Sequence, residues 1–198
     1  FIIEYISGKP TEGCPGNKDD KYICTNEFKN KHLLEHVNKK DKPIVIKAHS
    51  PGELRKHPKN LIVIIRDPFE CISKQTNYKI DNKNISQYLN ILKYYDTYKN
   101  QKMLIKYKDL MENPQEVAQN LFNFLNINMD KYLNEFNKNY ETIINDSLNV
   151  KKVNGGAKLA YANVSKKDEH YHYNKLEEGN KNILKRTLNN SVIYKKYF

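Results

Sequence analysis

The chain has 198 residues, 38% of them hydrophobic and 11% aromatic, which is enough for one domain with one core and barely enough for two. Its longest apolar run, Leu61 to Ile65, is ended by Arg66 and falls far short of the roughly 20 residues of a membrane helix, so no membrane span is expected. The formal net charge of +11 is dispersed rather than gathered in one block, which favours a chain simply rich in Lys and Asn over an anionic partner such as nucleic acid, a nucleotide or an acidic substrate, and charge alone does not decide between them.

Phe1 to Ser7 reads as a helix tail that Gly8 and Pro10 terminate. It has Glu4 inside it and no basic start, so it is not read as a signal peptide. A chain that opens in mid-helix without a cap is expected to be truncated at its N-terminus. Thr11 to Asp20 reads as a loop with Gly13, Pro15 and Gly16. Asn26 to Lys39 is helix-compatible, with Phe28, Leu33, Leu34 and Val37 as its apolar stripe. Pro43 to Lys47 is a short β-branched run and reads as a strand, followed by a turn over His49 to Gly52. Asn60 to Arg66 carries the strongest strand signal. Its apolar residues are continuous, as expected for a parallel strand covered on both faces.

Asp67-Pro68 then supplies an N-cap and a first-turn proline, which predicts a helix from Pro68 to about Asn77. Ile85 to Lys99 reads as a helix with Tyr88, Leu89, Leu92 and Tyr95 on one face, and Lys102 to Tyr107 as a third strand. Asn113-Pro114 caps a helix to Leu125 with Val117, Leu121, Phe122 and Leu125 inward. The pattern weakens after Asn126, Gly155-Gly156 mark a loop, and Leu176 to Leu188 reads as the last helix. Cys14, Cys24 and Cys71 lack metal spacing and are odd in number, which favours a reducing, cytoplasmic setting, with Cys71 as a buried thiol. The alternation of strands and helices predicts a single α/β domain over residues 1–198. The expected architecture is a P-loop-type parallel sheet flanked by helices in three α/β/α layers.

Ligands of such sheets sit at the carboxyl ends of the strands. The first predicted strand ends in Lys47-Ala48-His49. Lysine there can offset charge on a transferring phosphoryl or sulfuryl group, and histidine can take a proton from an attacking hydroxyl. Taken alone, a strand-terminal histidine is more often structural. The second ends in Arg66-Asp67-Pro68, where Arg66 can grip an anion as a rigid fork and the helix start offers amides and a positive dipole end. The bland alternative makes Asp67 a plain N-cap with Arg66 as its ion partner. The third ends in Tyr107, whose ring can lie against a purine or be an ordinary strand-closing residue.

Taken together these segments resemble the sulfotransferase family, which uses 3′-phosphoadenosine-5′-phosphosulfate (PAPS). Ile46 to Pro51 (IKAHSP) is similar to the family's K-T-H-x-P segment, and Lys59 to Ser73 (KNLIVIIRDPFECIS) to its 3′-phosphate-binding segment. Met103 to Leu125 (MLIKYKDLMENPQEVAQNLFNFL) resembles the family's Y-E-D-L…N-P…F-L segment, all in the family's order. The resemblance covers Pro43 to Leu125 well and the ends less well. It implies sulfuryl transfer from PAPS to a hydroxyl or amine on a small-molecule or glycan acceptor, without a metal. It implies His49 as general base, Lys47 on the sulfuryl group, Arg66 on the 3′-phosphate and Tyr107 beside the adenine. Ser73 lies one residue short of the family's serine and Lys74 occupies its place; one residue is about 100° on a helix, so either fills the role. Ser147 is weakly similar to a residue that walls the adenine.

Two departures stand beside this. The family's P-K-S-G-T-T-W loop, which cradles the 5′-phosphosulfate, does not occur in the chain, and it is expected just upstream of Phe1. The late R-K-G motif is replaced at best by Lys158 in Asn154 to Lys158. A P-loop nucleotide kinase or other nucleotide-binding protein is the alternative; it needs a G-K-(S/T) loop and a magnesium-binding Asp. A basic nucleic-acid-binding protein comes third, since the charges form no stripe interleaved with aromatics.

Overall fold

The computed structural model describes residues 3, 7–9, 11–12, 35, 37–38, 40–46, 48, 50–54, 58–128, 133–148 and 170–198. In chain order its elements are β1 (Thr11–Glu12), β2 (Val45–Ile46), β3 (Asn60–Ile65), α1 (Pro68–Gln75), α2 (Asn82–Thr97), β4 (Gln101–Lys106), α3 (Tyr107–Glu112), α4 (Pro114–Leu125), α5 (Leu133–Leu148), α6 (Tyr171–Asn174), α7 (Glu178–Asn189) and α8 (Val192–Tyr197). A 3-10 turn at Pro51–Glu53 falls where a turn was expected. The chain is mixed α/β, and its described strands pair in parallel. Two compact units are formed, Phe1–His57 with Glu112–Ser165 and Pro58–Met111 with Lys166–Phe198. Among the described residues no helix is long and apolar enough to cross a membrane.

In the first unit β2 lies parallel to β1, with Thr11 opposite Val45 and Glu12 opposite Ile46. The expected strand Pro43 to Lys47 is therefore shorter, and Thr11–Glu12, expected in a loop, is its partner. Two polar residues carry no periodic signal, so their pairing is set by tertiary contact alone. Among the described residues β2 does not join β3 or β4, as a single sheet requires. Helix α4 matches its expected bounds and buries Pro114, Val117, Ala118, Leu121 and Phe122. Helix α5, which the sequence pattern did not reveal, contributes the fully buried Phe136, and Gln115 on α4 donates its Nε2 to the Asn137 carbonyl at 3.3 Å.

In the second unit β3 and β4 pair in parallel from Asn60 opposite Gln101 to Ile65 opposite Lys106, joined by the crossover through α1 and α2. Leu61, Val63 and Ile65 share one face of β3 and are buried with Ile72 of α1, Ile85, Leu89 and Leu92 of α2, and Leu184 and Leu188 of α7. Full burial of a leucine such as Leu92 or Leu184 contributes roughly 1.5–3 kcal/mol. The other face of β3 differs from the expectation of a strand covered on both sides, because Ile64 is 58% exposed. The helices of this unit pack on the face that carries the odd-numbered residues.

The helix ends follow local chemistry. Asp67 accepts from Glu70 N at 2.9 Å and Pro68 fills the first turn of α1. Asp81 caps α2 by accepting from Asn84 N at 2.7 Å, which starts that helix earlier than its apolar face indicates. Helix α1 stops at Gln75, short of the expected Asn77, because Asn77 and Tyr78 take left-handed φ values of 50° and 67°. Lys102 donates its Nζ to the Tyr95 and Asp96 carbonyls at 2.9 and 2.8 Å, a cation at the negative end of α2. The Asp96 carboxylate then holds α8, pairing with Lys196 and accepting from the Tyr197 hydroxyl at 2.8 Å. Those two hydrogen bonds keep the Asp96 carboxyl below its ordinary range, while desolvation and the Asp96 contact push the Tyr197 phenol up to about 12.

Candidate functional site

The carboxyl ends of β3 and β4 lie side by side, so the residues that follow them, Arg66 and Tyr107, are neighbours. The Arg66 guanidinium carbon sits 5.2 Å from the centroid of the Tyr107 ring, a cation–π contact. Tyr107 was expected to close the strand; it opens α3 instead. Tyr-Lys-Asp-Leu-Met-Glu contains good helix formers, and tyrosine is at home in either state. The Arg66 carbonyl accepts the Tyr88 hydroxyl of α2 at 2.6 Å. Burial pushes the Tyr88 phenol far above its ordinary value, with Cys71, Asp67 and Tyr194 adding in the same direction, so the hydroxyl remains a donor.

Asp67 caps α1 and does not pair with Arg66 among the described residues. Its carboxyl is raised by burial, against the opposing pull of the Glu70 and Phe69 amides and the charge of His170. Cys71 N donates to the Asp67 carbonyl at 2.9 Å. The amides expected to be open at this helix start are thus largely taken by Asp67, so the dipole end and nearby cations are what remain for an anion. Arg66 immediately precedes the helix cap, and Lys74 stands in the last turn of the helix. Both act to lower the Cys71 thiol, which burial, the larger effect, holds above its ordinary value. Cys71 is a free, half-buried thiol.

The alternatives at the end of α1 separate clearly. Ser73 is fully buried, and its hydroxyl donates to the Phe69 carbonyl one turn back. Lys74 is exposed. The start of α6 closes over this same helix. Glu70, only 4% exposed, accepts His172 N and Tyr173 N on its two carboxylate oxygens at 3.0 and 2.9 Å. Phe69 meets Tyr173 edge-on at 5.2 Å, and the Tyr78 hydroxyl lies 2.9 Å from His172 Nδ1. Tyr194 and Phe198 stack at 5.4 Å, with Phe198 6.5 Å from Tyr88.

Arg66, Ser73, Lys74 and Tyr107 are therefore brought into one unit. Lys47, His49 and Lys158 lie outside the described residues. Ser147 is on α5 in the other unit, and its side chain lies outside the description. Among the described residues no group of three or more His, Cys, Asp or Glu side chains is arranged to hold a metal. Sequence reasoning missed Glu70 and the Tyr88 hydroxyl. An acid between Phe69 and Ile72 on an apolar helix face was the available signal for Glu70. Nothing local marks the bond of Tyr88 to a carbonyl 22 residues away. At the start of α1 the arrangement offers a guanidinium over an aromatic ring beside a helix dipole end, a set suited to an anionic group attached to a planar one. No family model matches this chain, and neither a curated protein nor a solved structure matches it.

Proposed function

We propose that this protein binds a 3′-phosphorylated adenine nucleotide and moves a sulfuryl group from PAPS to a hydroxyl or amine acceptor. The observation that carries the reading is Arg66 stacked on Tyr107, each immediately after the carboxyl end of one of two adjacent parallel strands. That is where nucleotide ligands of parallel sheets bind. In this reading Arg66 and Lys74 hold the 3′-phosphate, and Tyr107 lies beside the adenine while supporting Arg66. Lys74 is favoured over Ser73, whose hydroxyl is already engaged inside the helix. The three-layer α/β/α arrangement with a P-loop-type sheet belongs to the same proposal, as do Ser147 and Lys158 as further nucleotide contacts and the cytoplasmic setting.

His49 acts as general base and takes the acceptor's proton as its oxygen or nitrogen attacks sulfur. The bond from sulfur to the 5′-phosphate oxygen breaks, and 3′-phosphoadenosine-5′-phosphate leaves with the electron pair. Lys47 offsets charge on the sulfuryl oxygens. Positioning and electrostatics dominate such a transfer, as they do for phosphoryl groups.

The test is binding of 3′-phosphoadenosine-5′-phosphate and of adenosine 5′-phosphate to the wild-type protein and to Arg66→Ala. Losing a hydrogen bond to a charged group costs about 1.5–3 kcal/mol, and that loss is expected for the 3′-phosphorylated ligand alone. Equal weakening of both ligands overturns the role of Arg66.

A further inference from the structure

Arginine is a long, flexible side chain, so its value as an anion clamp depends on what holds it before the ligand arrives. Two tyrosines from different elements converge on Arg66. Tyr107 lies under the guanidinium at 5.2 Å, and Tyr88 donates its hydroxyl to the Arg66 carbonyl at 2.6 Å. Tyr88 is itself well held. Its ring is half-buried, it stands between Ile85 and Leu89 on α2, which are 0% and 9% exposed, and it meets Phe198 at 6.5 Å. The carbonyl it engages belongs to the residue immediately after β3, where the backbone turns toward Asp67 and α1.

We propose that Tyr88 is a positioning residue for Arg66: its hydroxyl fixes the end of β3 so that the guanidinium rests on Tyr107 and faces the nucleotide's 3′-phosphate. The inference rests on the PAPS-binding reading above and adds to it a residue that never touches the ligand. Removing the hydroxyl frees the strand end and lets the guanidinium leave its place, while the adenine and 5′-phosphate contacts are untouched. A tyrosine that merely filled the core would weaken every nucleotide alike.

The experiment compares Tyr88→Phe with the wild-type protein by calorimetric titration of 3′-phosphoadenosine-5′-phosphate and adenosine 5′-phosphate, with circular dichroism as the fold control. The expected result is a fall of about two- to tenfold in affinity for the 3′-phosphorylated ligand, the size of one net hydrogen bond, with no change for adenosine 5′-phosphate. Placing 4-aminophenylalanine at position 88 restores a weaker donor at the same point and is expected to give an intermediate preference. That variant decides the question if Tyr88→Phe does not fold. An unchanged preference in either variant, or equal weakening of both nucleotides, overturns the positioning role. A wild-type protein that does not distinguish the two nucleotides overturns the PAPS reading itself, and the role of Tyr88 with it.

Discussion

Replacing Glu70 tests how the α6 segment is fastened over α1. Glu70 is almost fully buried, and each of its carboxylate oxygens accepts one backbone N–H, from His172 and Tyr173, more than a hundred residues along the chain. Each hydrogen bond to a charged group is worth about 1.5–3 kcal/mol. Their sum is an upper bound, because removing the carboxylate also recovers its desolvation cost. Glu70→Ala is therefore expected to lower the unfolding free energy by about 2–4 kcal/mol. Glu70→Gln keeps the shape but sets an NH₂ donor against one of the two amides, and about 1–3 kcal/mol should be lost. Urea unfolding measures both. Hydrogen exchange adds a local reading, since the amides of His172 and Tyr173 should lose protection before those of β3. A Glu70→Gln protein within about 0.5 kcal/mol of wild type, with both amides still protected, would refute the clamp.

Asp67→Asn keeps the capping acceptor but removes a carboxyl that burial has raised above its ordinary value. A raised acid holds its proton longer in the folded state, so the contribution of Asp67 to wild-type stability falls as pH rises from 3.8 through the folded value and is level above it. The Asp67→Asn protein has no such loss, so its melting temperature relative to wild type should climb across that window; a difference independent of pH would contradict the desolvation of Asp67. His49→Ala should reduce sulfuryl transfer by about 10²–10⁴-fold, the usual cost of losing a general base, and leave nucleotide affinity unchanged. Full transfer by this variant would remove His49 from the chemistry.

Much of the second unit was legible in the sequence. The continuous apolar run at Leu61 to Ile65 marks β3, and Asp67-Pro68 marks the start of α1; in the first unit Asn113-Pro114 marks α4 in the same way, because caps and β-branched runs are local signals. What was not legible is non-local. Thr11–Glu12 is a strand only because Val45–Ile46 lies beside it. Helix α5 is rich in Asn and carries a diluted apolar stripe around Phe136, and α8 is a single short turn-and-a-half held by Asp96. The candidate site divides in the same way. Arg66 and Tyr107 are placed by the ends of paired strands, which periodicity reveals. Tyr88 and Glu70 act on backbone groups 22 and 102 residues away, and spacing along the chain carries no trace of that. Ser73 against Lys74 was undecidable from the pattern, since a one-residue shift on a helix changes which side chain is buried.

The most direct test is a single-turnover assay with the protein, supplied with the loop that cradles the 5′-phosphosulfate, in excess over radiolabelled PAPS and in the presence of a panel of hydroxyl and amine acceptors. The account predicts label on an acceptor, with 3′-phosphoadenosine-5′-phosphate released in equal amount and only when that acceptor is present. A protein that neither retains PAPS nor labels any acceptor would contradict it.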